Sequence, residues 1–175
     1  MAFLLALGAV GEVSAAEIRD LSLVRSGEGF EVSFRLAGDL PPEIEARLRS
    51  GVEVSFEFTV ALKRRRSGLP DKTVSERYVT AFARLKTVTR MYQVSRSLDG
   101  TVVDLDETDD RATVNRWLTA FDRLKLFDGR DLDGPGLYYV RVRAKLLASV
   151  KALVIPWGLD TSWAETERVR VEEAP

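Results

Sequence analysis

From Val52 to Lys63 the chain alternates without interruption: Val52, Val54, Phe56, Phe58, Val60 and Leu62 are separated by Glu53, Ser55, Glu57, Thr59, Ala61 and Lys63. Period two is the spacing of a strand with one buried and one wet face, and no helix gathers these six apolar side chains on one side. A strand this long belongs to a large sheet. The rest of the chain must supply its neighbours and a second layer over its apolar face.

The flanking segments read accordingly. Ile18, Leu21 and Leu23 lead into the turn cluster Ser26-Gly27-Glu28-Gly29, after which Phe30, Val32, Phe34 and Leu36 alternate with Glu31, Ser33 and Arg35; this predicts a hairpin. "GDLPPEIEARLRSG" predicts a short helix, with prolines in its first turn, Glu43 and Glu45 near its positive end, Arg47 and Arg49 near its negative end, and Gly51 as its stop. Within "TVSERYVTAFARLKTVTRMYQVSRS", Tyr78, Phe82 and Leu85 fit helical spacing. Val79, Ala81 and Ala83 fit a strand, and the Thr- and Val-rich continuation through Tyr92 and Val94 favours the strand. Leu98-Asp99-Gly100 is a hairpin turn.

"DETDDRATVNRWLTAFDRLKLFDG" predicts the longer of two helices, capped by Thr108, with Val114, Trp117, Leu118, Phe121 and Leu124 as its apolar stripe and Asp128-Gly129 as its end. Tyr138, Val140, Val142, Ala144 and Leu146 then mark a second long one-sided strand, and "TSWAETERVRVEE" a charged edge strand. The expected fold is mainly β, an antiparallel sandwich-like arrangement with two covering helices.

The chain has 175 residues, of which 45% are apolar and 30% charged, so it is long enough for one packed domain and does not have the composition of a disordered one. It has no cysteine and no histidine. Disulfides, thiolate nucleophiles, the commonest general base and the commonest transition-metal ligand are thereby excluded. With a net charge of −1, no global field draws it to nucleic acid or anionic lipid. Ala2–Val10 is an apolar run too short to span a bilayer, and Val13-Ser14-Ala15 follows as a cleavage-like site. Residues 1–15 are therefore expected to be a signal peptide, although no Lys or Arg precedes the run, and residues 16–175 a single mostly-β domain exported to the periplasm.

A helix closing on "SGVEVSFEF", a strand ending in clustered arginines, "RYVTAFARLKTVTRMYQV", a Trp-bearing helix, "YYVRVRAKL" and "SWAE" occur here in that order. Together, over roughly Leu40 to Trp163, they resemble an exported bacterial family, domain of unknown function 4390 (DUF4390). The resemblance implies export and a mostly β domain, and it transfers no catalytic residue. Its pattern commonly sets a tryptophan after the arginine cluster, where this chain has Leu69-Pro70.

Four consecutive cations, Lys63, Arg64, Arg65 and Arg66, precede the Gly68-Leu69-Pro70 turn. Adjacent strand residues face opposite ways, so at most half of them share a side; the expectation is a solvated hairpin tip that docks an acidic partner or lipid head groups if it docks anything, and not nucleic acid. "DLDETDD" holds five carboxylates in seven positions, and Asp104, Asp106 and Asp109 are calcium candidates, although the EF-hand positions of glycine and glutamate are not filled. Glu53 and Glu57, roughly 13 Å apart along a strand, are too distant for a retaining carboxylate pair. Tyr138 and Tyr139 must face opposite ways, which exposes one, and Tyr139 and Trp157 are candidate partner contacts; Trp117 is expected in the core. No cofactor is expected. The function expected is a non-enzymatic protein-interaction module of the bacterial envelope. The alternative is a lipid- or small-ligand-binding protein with a cavity between sheet and helix near Trp117 and Phe121, and an enzyme working through carboxylates ranks third.

Overall fold

The computed structural model describes residues 16–38, 40–147 and 160–172; the expected signal peptide and Trp157 lie outside the described residues. Among the described residues ten strands and two α-helices follow one another as β1 (Glu17–Ser26), β2 (Gly29–Ala37), α1 (Pro42–Arg49), β3 (Val54–Arg64), β4 (Lys72–Lys86), β5 (Met91–Leu98), β6 (Thr101–Thr108), α2 (Arg111–Thr119), β7 (Ala120–Phe127), β8 (Gly136–Leu147), β9 (Ala164–Glu165) and β10 (Val169–Val171), with one 3-10 turn at Gly129–Asp131. They form two antiparallel sheets, a small one ordered β1-β2-β7 and a large one ordered β10-β8-β3-β4-β5-β6, with β9 also pairing β8. The fold is mainly β, as the alternation predicts. Among the described residues no helix is long and apolar enough to cross a membrane.

The inner faces of the two sheets meet in one core. Phe58 of β3, Phe34 of β2 and Phe121 of β7 form its centre, with Phe34–Phe58 ring centroids 5.2 Å apart, Phe34–Phe121 4.7 Å and Phe58–Phe121 4.8 Å. Offset and edge-on contacts of this kind stabilise beyond the area they bury. Val54, Phe56, Val60 and Leu62 continue the buried row of β3. The opposite face of β3, expected to be wet, is covered as well at Ser55, Thr59 and Ala61. Their cross-strand neighbours are large: Phe82 and Leu147 beside Ser55, Tyr78 and Arg143 beside Thr59, Glu76 and Arg141 beside Ala61. Small residues in a central strand are shaded by such neighbours.

Residues 78–86 are strand, within β4. The long helix is shorter than its stripe suggests. It stops at Thr119, and Ala120–Phe127 runs straight on as β7, paired with β2. The reason lies in the register. Phe121, Leu124 and Phe127 oppose Phe34, Val32 and Phe30, so β7 spends three residues for each two of β2, and two irregularities absorb the difference. At one of them Arg123 takes a left-handed φ of 49°. Bulges thus give a strand the three-residue period of a helix. The cap also differs from expectation: Asp110, not Thr108, accepts the Ala112 and Thr113 N–H groups at 3.2 and 2.8 Å, while Thr108 Oγ1 accepts the Asp110 N–H.

Candidate functional site

The four cations of the β3–β4 tip are placed by the end of a long strand, and three of them are spent on the protein itself. Lys63 Nζ donates to Thr73 Oγ1 at 2.9 Å. The Arg64 guanidinium donates to the carbonyls of Asp133 and of Pro135, the latter at 2.6 Å, and lies 3.5 Å from the Asp133 carboxylate. Arg66 donates twice to the Pro70 carbonyl, at 2.9 and 2.7 Å. Arg65 is exposed, its backbone N–H bonded to Leu137 O at 2.8 Å, and its side chain makes no hydrogen bond among the described residues. Hydrogen bonds to backbone carbonyls order a turn; they occupy donors and fix the side chains that a partner would otherwise use.

Tyr139 belongs to the same network and corrects the expectation of an outward aromatic. It is only 6% exposed, and its hydroxyl donates to Asp71 Oδ2 at 2.8 Å. Burial first, then that hydrogen bond, pushes its phenol up to about 12. The same bond is the main reason that the Asp71 carboxyl lies below its ordinary range. Arg168 covers the ring, 5.8 Å from its centroid. Tyr138, on the opposite face, is fully buried and donates to the Gly134 carbonyl at 2.6 Å. Opposite faces here do not mean one wet and one dry, because the 160–171 segment and the tip loop wrap the outer one. Lys63, Arg66 and Tyr139 therefore order the 70–73 turn, through Thr73, Pro70 and Asp71, while Arg64 ties the tip to Asp133 and Pro135.

The calcium candidates do not converge. Asp104 and Asp106 are successive same-face positions of β6, roughly 7 Å apart at the backbone, and no group of three or more possible ligands is assembled among the described residues. Five carboxyl groups with perturbed acidity, Glu31, Asp71, Asp110, Asp128 and Asp133, are all held low by hydrogen-bonding partners: Arg123, Tyr139, Thr113, Arg130 and Lys72 respectively come first among the causes. None of these five is poised as a protonated acid.

Two open clefts flank the small sheet. The larger, about 1260 Å³, lies by the β1–β2 turn, where Arg77 bonds Asp131 at 3.0 Å, Asp99 at 3.2 Å and the Leu126 carbonyl at 3.2 Å. The smaller, about 530 Å³, is lined by Arg35, Arg96, Arg116, Trp117 and Phe121 among others. Trp117 is half-buried there, at the edge of the core, and Trp163 stacks outside it against Arg141 and Arg143 at 4.9 and 4.7 Å. Arg96 is the residue that sequence reading missed. From β5 it donates to the carbonyls of Arg116, Trp117 and Ala120 at 3.3, 3.0 and 2.6 Å, closing the C-terminal end of α2. It lies 4.8 Å from the centroid of Trp117 and 4.6 Å from that of Phe121. The signal was its parity: it continues Tyr92 and Val94 onto the inner face.

The two edges of the large sheet are treated oppositely. At β8 the edge is closed: β9 and β10 pair with it, Thr161 N–H donates to Ala144 O at 3.0 Å while Thr161 Oγ1 accepts the Ala144 N–H at 2.9 Å, and Thr166 does the same to Val140 at 3.0 and 3.1 Å. Each threonine thus completes both halves of a ladder pair with one residue. At β6, no backbone bond reaches the outer side among the described residues. All of β6 except Thr108 is exposed, including Val102 at 61%, Val103 at 59% and Leu105 at 59%. This strand is the surface that the residues single out.

Compared with known proteins, the chain matches the model of a domain of unknown function (DUF4390) over residues 13–164. No curated protein and no solved structure matches it. The matched span runs from ahead of β1 to the first residue of β9, through both sheets, both helices, the braced tip and the open edge, and the chain belongs to the DUF4390 family.

Proposed function

We propose that the protein is a non-enzymatic, exported envelope protein that works as a protein-interaction module, and that the β6 edge is its docking surface. One observation carries the reading: a sheet whose β8 edge is closed by hydroxyl and strand pairing leaves β6 open, with Val102, Val103 and Leu105 exposed on it. An open edge that exposes large apolar side chains offers a further strand both backbone partners and side-chain contacts. The apolar run Ala2–Val10 and the small residues after it support export. The tip cations move to a supporting role, because Lys63, Arg64 and Arg66 are engaged within the fold.

In-cell photocrosslinking of the full-length precursor tests this. A photoreactive residue is placed at Leu105, at Arg65, or at Val88, an exposed turn position. A stoichiometric adduct from position 105 alone is expected. Adducts from 65 alone would return the surface to the tip, and none from either position in folded protein would sink the module reading.

The smaller cleft favours a second reading, the binding of a lipid or small ligand between α2 and the small sheet, since Trp117, Phe121 and the arginines Arg35, Arg96 and Arg116 are among the residues that line it. Native mass spectrometry of protein purified from cells checks it: a retained mass lost in Trp117→Ala supports that reading.

A further inference from the structure

Beyond β6 being a docking edge, on which this inference rests, its side chains specify what docks. From Asp104 to Thr108 the strand is in unbroken register with β5: Asp104 lies opposite Arg96, Leu105 opposite Ser95, Asp106 opposite Val94, Glu107 opposite Gln93 and Thr108 opposite Tyr92. Val94 and Tyr92 are buried, so Asp104, Asp106 and Thr108 belong to the inner face and Leu105 and Glu107 to the outer one. Glu107 is already paired, with Lys86. Asp104 and Asp106 make no ion pair among the described residues, although Asp106 accepts the Glu107 N–H at 2.8 Å. The available edge therefore presents two carboxylates on one face with a large apolar side chain between them on the other.

A strand added beside β6 must answer this pattern position by position, because residues directly opposite share a face. Cations are required against Asp104 and Asp106, and an apolar residue between them against Leu105. A second copy of the chain fails in each antiparallel register centred on Asp104, Leu105 or Asp106. Pairing two β6 strands antiparallel about Leu105 sets Asp104 against Asp106 twice; sliding the register by two residues in either direction sets Asp104 or Asp106 against itself. Like charges directly opposite are destabilising. Anionic lipid and nucleic acid are repelled by the same two carboxylates. We propose that β6 accepts an extended segment of a partner protein carrying a basic–apolar–basic alternation, added as a further strand of the large sheet.

The test uses the full chain with three synthetic ten-residue probes: alternating Lys and Val, the same composition with the lysines and valines in separate blocks, and alternating Glu and Val. Binding is followed by calorimetry, and its position by hydrogen exchange. The alternating Lys–Val peptide is expected to bind, to protect amides of residues 104–108, and to weaken as salt is raised. In the double variant Asp104→Lys/Asp106→Lys it is expected to bind roughly tenfold more weakly, with the Glu–Val peptide gaining in its place. Equal binding of the blocked peptide, protection elsewhere on the molecule, or no binding by the alternating peptide would each overturn the proposal. So would a concentration-dependent dimer crosslinked through Leu105, which would leave β6 a docking edge but with a second copy as occupant. Failure of the docking reading itself is registered separately, by the absence of in-cell crosslinks at position 105.

Discussion

Arg96 is held where an arginine is costly. Burial pushes its guanidinium below the ordinary arginine range, and Asp104 across the ladder offsets this in part. What compensates is geometry: a planar fork reaches three carbonyls at the negative end of α2 and lies against two aromatic rings. Arg96→Ala is expected to cost about 3 kcal/mol, because it strands those carbonyls as well as removing the cation. Arg96→Lys should recover less than half of this, since a single ammonium cannot span them; urea denaturation of the three proteins measures both. Tyr139 offers a sharper test. Its phenol titrates near 12 in the folded protein against 10 for a free one. A group whose folded value is raised contributes stability that is complete below the unfolded value and is lost as pH rises through the folded one. Wild type should therefore lose stability between pH 10 and 12 with a slope that Tyr139→Phe does not share. At neutral pH that variant should be weaker by about 1 kcal/mol, the worth of a hydrogen bond to a carboxylate less its desolvation.

At the scale of elements, what period two can express was legible: β3, β8, the β1–β2 hairpin and the β5–β6 turn follow from alternation and turn residues alone. The error at β7 is equally physical. Pattern reading assumes one residue per position, and the bulges of β7 break that rule, so Phe121 and Leu124 imitate a helix stripe while pairing with Phe34 and Val32. The candidate site was hardly legible. Whether β6 is an edge depends on which strands are neighbours, and whether the tip cations are free depends on the 133–137 turn some 70 residues away. Close approach at the hairpin gives an element-scale prediction. A Cβ on Gly29 would stand 2.1 Å from the Phe127 carbonyl oxygen, whereas Gly27, with a φ of 59°, has open space around it. Gly29→Ala is expected to lose about 3 kcal/mol or more by forcing β2 and β7 apart at their first pair, while Gly27→Asn, a residue that tolerates left-handed backbone, should stay within roughly 1 kcal/mol of wild type. Thermal unfolding of the two variants separates them.

Taken whole, the molecule carries its ionic interactions in carboxylates, guanidinium and ammonium groups, with no histidine or cysteine to titrate near neutrality. Stability is expected to be flat across the neutral range. It should fall on acidification, as the depressed carboxyls of Glu31, Asp71, Asp110, Asp128 and Asp133 take up protons and lose partners that are fully effective above their unfolded values. Denaturation midpoints measured from pH 2 to 9 show the plateau and its acid limit. The topology also sets a schedule. Ser33 and Asp122 touch within the small sheet although they lie 89 positions apart. Delivered N-terminus first, from a ribosome or an export channel, β1 and β2 wait through an interval before β7 arrives. Through it the small sheet is a two-stranded ribbon, marginal on its own, with one side of β2 unpaired and Phe34 lacking the Phe121 ring it will stack on. The tardiness of one eight-residue strand thus decides how long each newly made copy needs a chaperone's shelter.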